Sequence, residues 1–583
     1  MAMLLKRTHF CGHLDLTCQG REVTVNGWIR KIRDFGKFAF VDLWDHTGIA
    51  QMVFSLEDGE LAGIRQCIVG DSIGAKGKVV ERKDKNPNLP TGDIEVNVLS
   101  WERYSVSEPF PVSENPSEET RLKYRYLDLR TEKMQRNLRF RHEVIKEIRD
   151  HLSEKGFIEV ETPILSKSTP EGARDYLVPS RLQPGFFYAL PLSPQIYKQL
   201  LMIGGVDRYF QISRCFRDED LRANRQPEFT QLDVEMAYAD EEDIFSMTEA
   251  LFKDVVRKVT GKEISASFPR MTYQEAMSRY GSDKPDTRFG MLISDVTGQC
   301  RPEGFTLLEE ALGRGDKVKG LVIPEKEPSR KEIDAMTDLA KERGAGGLMW
   351  FKMKEGAIQS PVSKFLKDGG KSITEALGLR EGDTAFVVAS ADSVASKALG
   401  AVRLYLRDLY GLVEKVKELH FLWVTDFPMF FYNEDEGRYE TEHHPFTMPD
   451  PDDMDRYLDK DPEKIRSRSY DLVLNGEEIA SGSVRNHIRS LQEKVFQKIG
   501  LTSEELQKRF SFFLKALQYG TPPHAGIAPG LDRFIQILLG EESIRDVIAF
   551  PKTTNAACLM TESPSEVDQV QLDELRIMVN NKN

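Results

Sequence analysis

Residues 214–235 read RCFRDEDLRANRQPEFTQLDVE. A strand ends at Phe216–Arg217–Asp218–Glu219, a charged loop follows, and a second strand begins near Phe229. Dense charge separates the two strands. No β-α-β alternation flanks them, which points to an antiparallel sheet in an α+β chain rather than a doubly wound one.

Upstream, FIEVETPIL (157–165) reads as a strand running into Pro163. It follows a helix over 133–155, where Met134, Leu138, Val144, Ile145, Ile148 and Leu152 fall near helical spacing and Gly156 ends the run. Far downstream, GIAPGLDRF (526–534) is a Gly-rich turn that delivers Arg533 at the start of a helix. Another helix is expected over Glu504–Leu517.

The first hundred residues behave differently. REVTVNGWIRKI breaks at Asn26–Gly27, and GKFAFVDLWD, GIAQMVF, DSIGAKGKVVER and GDIEVNVLSWERY follow as further short strands. Five such strands predict a small barrel of OB type. SEPFPVSENPSEET (107–120) is a linker by composition. GLVIP, GGLMWFKM and DTAFVVAS give strands mixed with helices inside an inserted α+β module. The expected division is 1–106, a linker to 130, a first catalytic part over 131–284, an insertion over 285–410 and a second catalytic part over 411–583.

Of 583 residues, 80 are Lys or Arg and 93 are Asp or Glu, a net charge of −13. Bulk electrostatic binding of nucleic acid is therefore disfavoured, and RNA contact must rely on local patches and stacking. Residues 1–110 hold 14 cationic and 15 anionic side chains, which makes them the least repulsive part. The six cysteines form no C-x-x-C pair, so neither disulfide nor zinc is expected. No signal peptide and no apolar run of spanning length is visible, and a cytoplasmic protein is expected. GGKS (369–372) lacks the first P-loop glycine, since Phe365 stands there, and is read as a surface turn. MPDPDDMDRY is read as a loop.

The Pro-ended strand, F-R-D-E with its loop and Phe229, and G-L-D-R are similar to the three ordered motifs of class II aminoacyl-tRNA synthetases. TPEGARDYLVPSR, LPLSPQIYKQLLM, HHPFT, NGEEIASGSVR and YGTPPHAG resemble blocks of their bacterial aspartyl branch, so the resemblance covers the whole chain. It implies an N-terminal OB barrel for the anticodon, an antiparallel catalytic domain, and a ferredoxin-like insertion of the GAD type. It implies activation of aspartate by ATP, transfer to the terminal 3′-hydroxyl of tRNA(Asp), and a homodimer packed about the Pro163 motif.

The resemblance carries roles residue by residue. Arg217 would take the α-phosphate and Arg533 the γ-phosphate, because guanidinium stays charged and forks onto oxygens. Phe229 would stack on adenine, with Asp218, Glu219, Gln226, Gly530, Leu531 and Asp532 completing the ATP site. Glu478 would ligate Mg²⁺ bridging the phosphates. For aspartate, Arg485 with Lys198 would hold the side-chain carboxylate, and Asp233 and Glu171 the amino group. Ser193, Gln195, Arg217 and His443 would lie nearby.

On the barrel, Arg30, Lys31, Arg33 and Lys37 make a basic patch, with Phe40 stacking on an anticodon base and Gln51 reading a base edge. Three positions depart from the pattern. Ala480–Ser481–Gly482 stand where the family often has three glycines. Phe35 and Lys85 stand where members that also charge tRNA(Asn) tend to carry His and Gly, which leans toward strict tRNA(Asp) specificity. Asparaginyl and lysyl synthetases, and a non-enzymatic RNA-binding relative, are the competing readings; intact Arg217, Glu478 and Arg533 oppose the last.

Overall fold

The structure, a computed structural model, describes residues 4–111, 115–169, 173–219, 224–264 and 266–579. In it the stretch around residues 214–235 forms two antiparallel strands, Arg208–Phe216 and Glu228–Ala237, paired from Phe216 opposite Glu228 to Arg208 opposite Met236. They lie inside an eight-stranded sheet among the described residues, in the order 270–272, 421–425, 469–474, 477–484, 524–529, 228–237, 208–216, 158–159.

Its interior is antiparallel as expected, and both edge pairings are parallel: Ile158–Glu159 on Tyr209–Phe210, and Arg270–Thr272 on Trp423–Thr425. The strand expected over 157–165 is only two residues long. Pro163 has no N–H to give a ladder, and the chain leaves the edge before it.

Side chains alternate across this sheet. Leu232 and Val234 face a core with Val144, Ile148, Phe245, Phe252, Trp423, Tyr470, Ile527 and Phe534. That core seats the helices Glu132–Glu154 and Glu241–Thr260. The opposite face carries Asp233 and Glu235.

The chain also separates into two compact units, one of residues 1–138 with 549–553 and 557–565, the other holding the rest. The first contains a closed barrel of Glu22–Asp34, Phe38–Asp45, Gly48–Ser55, Ile94–Ser105 and Ser72–Glu81, in that order. Asn26–Gly27 does not break the first strand. A Cβ on Gly27 would meet the Trp44 carbonyl oxygen at 2.3 Å, so the glycine permits close strand approach instead of a turn.

The inserted module is a five-stranded antiparallel sheet among the described residues, ordered 294–295, 317–323, 384–390, 349–354, 357–359. Helices Arg330–Glu342 and Asp392–Leu409 pack on one face, around Leu321, Phe386 and Leu399. Val318, Phe351, Ile373 and Val387 form the core on the other face.

Two loop readings give way. Asp450 accepts the Asp453 N–H and Pro451 opens a helix over Pro451–Tyr457, since proline suits a first helical position. Gly370, at φ +92°, precedes a short helix Lys371–Ala376 where a surface turn was expected. The later helix runs Ser503–Ala516 with a Thr502–Glu505 capping box. No helix of the described residues is long and apolar enough to cross a membrane.

Candidate active site

The polar face of the eight-stranded sheet gathers buried charge. Strand alternation puts Asp233 and Glu235 on it together, and helix Gln195–Ile203 lays Lys198 against them. Lys198 Nζ lies 3.1 Å from Asp233 Oδ1 and 3.6 Å from Glu235 Oε2. From the strand beyond, Arg485 donates through Nε at 2.8 Å and Nη2 at 3.1 Å to the two oxygens of Glu235. Its Nη1 donates to Ser483 Oγ at 2.7 Å and meets His444 Nε2 at 2.8 Å.

Lys198 and Arg485 are each 1% exposed, Asp233 and Glu235 not at all. Such a cluster survives burial because each charge is matched. Glycine makes the room: a Cβ on Gly526 would sit 2.0 Å from Glu235 Oε2.

The two carboxylates differ. Burial raises both, but for Glu235 the charges of Arg485 and Lys198 outweigh it and hold the group below its usual range. For Asp233 burial dominates and its carboxyl is raised. Its Oδ2 is buried and accepts no hydrogen bond among the described residues, so it offers an acceptor to a bound ammonium. His444 is held neutral by burial and by neighbouring Arg485, which lets Nε2 accept the guanidinium proton.

A second group lies along the strands 469–474 and 477–484. By strict alternation from Ala480, which faces the core, Glu478 would point inward too. A bulge between Leu472 and Val473 shifts the register, so that Ser481 opposes Asp471 while Glu478 opposes Val473. Glu478 is thereby delivered to the face that holds Asp471. Burial and the Asp471 charge raise the Glu478 carboxyl, opposed by Arg533, Lys284 and His443.

Arg533, on helix Leu531–Leu539, donates through Nη1 to the Glu478 carbonyl and through Nη2 to the Asn224 carbonyl at 3.5 Å. His443 Nε2 lies 3.1 Å from Asp471 Oδ1. Burial pulls the imidazole down, but Asp471, Glu442 and Glu478 together raise it above its ordinary value.

A raised histidine contributes its charge fully below the unfolded value of about 6.5 and loses it as pH rises through the folded value. Substrate activation that depends on this imidazolium should therefore weaken on the alkaline side of neutral. KM for the amino acid measured against pH should lose that limb in His443→Gln; an unchanged profile would remove the role.

The third group is Arg217 over the ring of Phe229, 5.1 Å from its centroid. The Arg217 N–H donates to the Pro227 carbonyl at 2.8 Å, which closes the strand pair at its loop end. Asp218 is exposed, and Glu219 pairs with Arg225 at 3.0 Å. Gln226 is buried.

Two of the expected ATP contacts are directed elsewhere. Asp532 accepts from Arg141 at 2.5 Å and from the Thr230 N–H at 2.9 Å, and Leu531 packs in the core. Both anchor the helix that presents Arg533. Gly530 pairs with the Ile479 carbonyl at 2.8 Å. Ser193 Oγ accepts the Gln195 N–H at 3.0 Å, and Gln195 Nε2 donates to Gln199. Glu171 lies outside the described residues.

Glu235, Asp471 and Ser483 escaped the sequence reading. Glu235 stands two residues after Asp233 in one strand, and Asp471 interrupts the apolar run SYDLVL, so both had a period-two signal.

On the barrel, Arg33, Asp42 and Gln51 share an outer face. Arg33 reaches Asp42 Oδ1 at 2.6 Å and Gln51 Oε1 at 3.2 Å, and Arg82 reaches Gln51 at 2.6 Å. Gln51 Nε2 donates to Glu95 at 2.8 Å. Phe40 is half-buried on the same face, edge-on to exposed Phe35 at 5.6 Å.

A family model described as tRNA synthetases class II (D, K and N) matches residues 117–554, and one described as an OB-fold nucleic acid binding domain matches 23–104. An aspartate–tRNA(Asp/Asn) ligase of Anoxybacillus flavithermus is 48% identical, covering 98% of each chain. An aspartate–tRNA ligase of Clostridium perfringens is 47% identical over 98% of this chain and 97% of its own.

Among solved structures, asparaginyl-tRNA synthetase from Pyrococcus horikoshii complexed with asparaginyl-adenylate superposes with a TM-score of 0.60 at 19% identity, covering 94% of this chain and 99% of that one. Aspartyl tRNA synthetase from Entamoeba histolytica gives 0.56 at 19% identity, covering 94% and 91%. At such identity these two speak for the fold. The family match across three quarters of the chain and the full-length relatives place it plainly: the chain belongs to the class II tRNA synthetases (D, K and N), in their aspartate–tRNA ligase branch.

Proposed function

We propose that the chain activates L-aspartate with ATP, releasing pyrophosphate, and transfers the aspartyl group to the 3′-terminal adenosine of tRNA(Asp). The observation that carries this is the buried quartet Lys198, Asp233, Glu235 and Arg485. Two fixed cations suit a side-chain carboxylate, and the free oxygen of Asp233 suits an α-ammonium. Asparagine would bring no charge to Arg485 and Lys198, and forgoing that charge-assisted pairing costs about 2–5 kcal/mol.

Arg217 beside Phe229 would hold the α-phosphate and the base, and Arg533 the γ-phosphate. The aspartate α-carboxylate then attacks the α-phosphorus and pyrophosphate leaves in line, with no protein nucleophile. The residues contribute positioning and charge neutralisation.

Asp471 and Glu478 fit a Mg²⁺ ion. They are oxygen donors on one face, and among the described residues no group of three or more His, Cys, Asp or Glu could hold a metal by itself. Mg²⁺ typically takes one or two carboxylates and completes its shell with water and substrate phosphates, whose charge it neutralises when bound. Aspartate-dependent ATP–pyrophosphate exchange tests the reading. Exchange with aspartate alone is expected; none with aspartate, or equal exchange with asparagine or lysine, would overturn it.

The barrel over 1–106 takes the anticodon in this reading, with the catalytic parts at 131–284 and 411–583 and the insertion at 285–410. Phe40→Ala should lower kcat/KM for tRNA by about 10- to 100-fold through lost stacking, and leave pyrophosphate exchange unchanged. Equal tRNA kinetics would remove the barrel from the reading.

Phe35 and Lys85, standing where members that also charge tRNA(Asn) tend to carry His and Gly, favour strict tRNA(Asp) charging. A second reading, charging of tRNA(Asn) as well, is compatible with several relatives of 47–48% identity that are aspartate–tRNA(Asp/Asn) ligases. Parallel charging of both tRNAs decides between them.

A homodimer goes with exposed apolar side chains at Ile158, Ile164 and Leu165 and along the hairpin at Leu177, Phe186 and Phe187. Gel filtration should give about twice the 66.5 kDa subunit mass; a single subunit mass contradicts it. A cytoplasmic setting, with tRNA and ATP at hand, belongs to the same reading.

A further inference from the structure

The turn Asn475–Gly476 joins the strand of Asp471 to the bulged strand of Glu478. It has left-handed backbone at both residues, φ 55° and 83°. The chain that enters the inserted module is pressed against it. A Cβ on Gly476 would lie 2.7 Å from Asp286 Cβ, and Arg288 Nη2 donates to the Asn475 carbonyl at 3.1 Å.

Asp286 is fully buried and ion-paired twice, to Arg288 at 2.7 Å and to Arg407 at 3.1 Å. Burial raises its carboxyl, and the two arginines outweigh this and hold it below the usual range.

Arg407 lies on Asp392–Leu409, the last helix of the inserted module. One turn earlier on that helix Arg403, also buried, donates to the carbonyls of Asp286, Phe289 and Gly290 at 2.9 Å and of Met291 at 3.0 Å. The helix thus holds the incoming segment, and that segment holds the catalytic turn. A side chain at Gly281 would meet the Ser396 carbonyl oxygen at 2.0 Å, which brings the same helix against the end of Tyr273–Tyr280.

We infer that Asp286, Arg288 and Arg407 are positioning residues, through which the base of the inserted module fixes the bulged turn and hence the placement of Glu478 beside the nucleotide. The turn is two residues from Glu478, and the bulge that re-aims Glu478 leaves the strand register set from the turn end. Partners one step behind a metal or phosphate ligand typically change affinity by about 10- to 100-fold when lost. The inference rests on the nucleotide site proposed above and gives the insertion a role in it.

The experiment is calorimetric binding of a non-hydrolysable ATP analogue with Mg²⁺ to the full-length enzyme, with KM for ATP and for aspartate measured alongside. Arg288→Met and Arg407→Met should each weaken analogue binding and raise the ATP KM by about tenfold, with the aspartate KM changed by less than about twofold. Arg288→Lys should recover part of the loss.

Unchanged analogue affinity, or equal rises in both KM values, would overturn the inference. Asp286→Asn is the more severe variant; Arg288 is only partly buried, so Arg288→Met stands if the former does not fold. Binding is read without turnover, so a wild type that binds the analogue but does not activate aspartate would refute the proposed function, while weaker analogue binding in Arg288→Met and Arg407→Met would still support this inference.

Discussion

An Arg485→Leu enzyme is expected to lose aspartate-dependent pyrophosphate exchange by about 10²- to 10³-fold while still binding ATP. Arg485 belongs to the buried quartet, where its guanidinium hydrogen-bonds to Glu235, Ser483 and His444. The substitution has a second consequence, because it strands Glu235 as a buried carboxylate without its bidentate partner. Breaking a buried pair in this way costs about 3–5 kcal/mol.

The double variant Glu235→Gln with Arg485→Leu separates the two effects. It should recover much of the thermal stability and none of the aspartate activation. Retained selectivity for aspartate over asparagine in Arg485→Leu would refute the role.

Arg217→Ala should lower kcat for pyrophosphate exchange by about 10³-fold, the scale on which a charged finger acts on a transferring phosphoryl group. Both KM values should move far less, since the charge that Arg217 neutralises grows most in the transition state. Its backbone contact to Pro227 does not depend on the side chain, so the strand pair stays closed and Phe229 stays in place. A kcat within tenfold of wild type would show that the α-phosphate is held elsewhere.

The strands at 208–237 were legible because alternation and a charged loop leave few other folds for the segment. The barrel strands were legible for the same reason. Asn26–Gly27 misled, since glycine marks close approach as readily as a turn, and only the Trp44 carbonyl distinguishes the two. Pro451 misled because proline both breaks helices and starts them, and the Asp450 cap decided.

Residue types in the site were readable from the motifs, but their pairings were not. Glu235 holds Arg485 from 250 residues away, and the bulge that turns Glu478 toward Asp471 is a register event no local pattern records. His443 and His444 are adjacent in sequence and shifted in opposite directions, one raised by Asp471 beside it, the other lowered by burial and Arg485.

The most direct measurement is a crystal structure with a stable aspartyl-adenylate analogue bound. The aspartyl carboxylate is expected on Arg485 and Lys198, the ammonium on Asp233 Oδ2, and the phosphate on Arg217. An analogue bound with its carboxylate away from Arg485, and the Arg485–Glu235 pair uninvolved, would contradict this expectation.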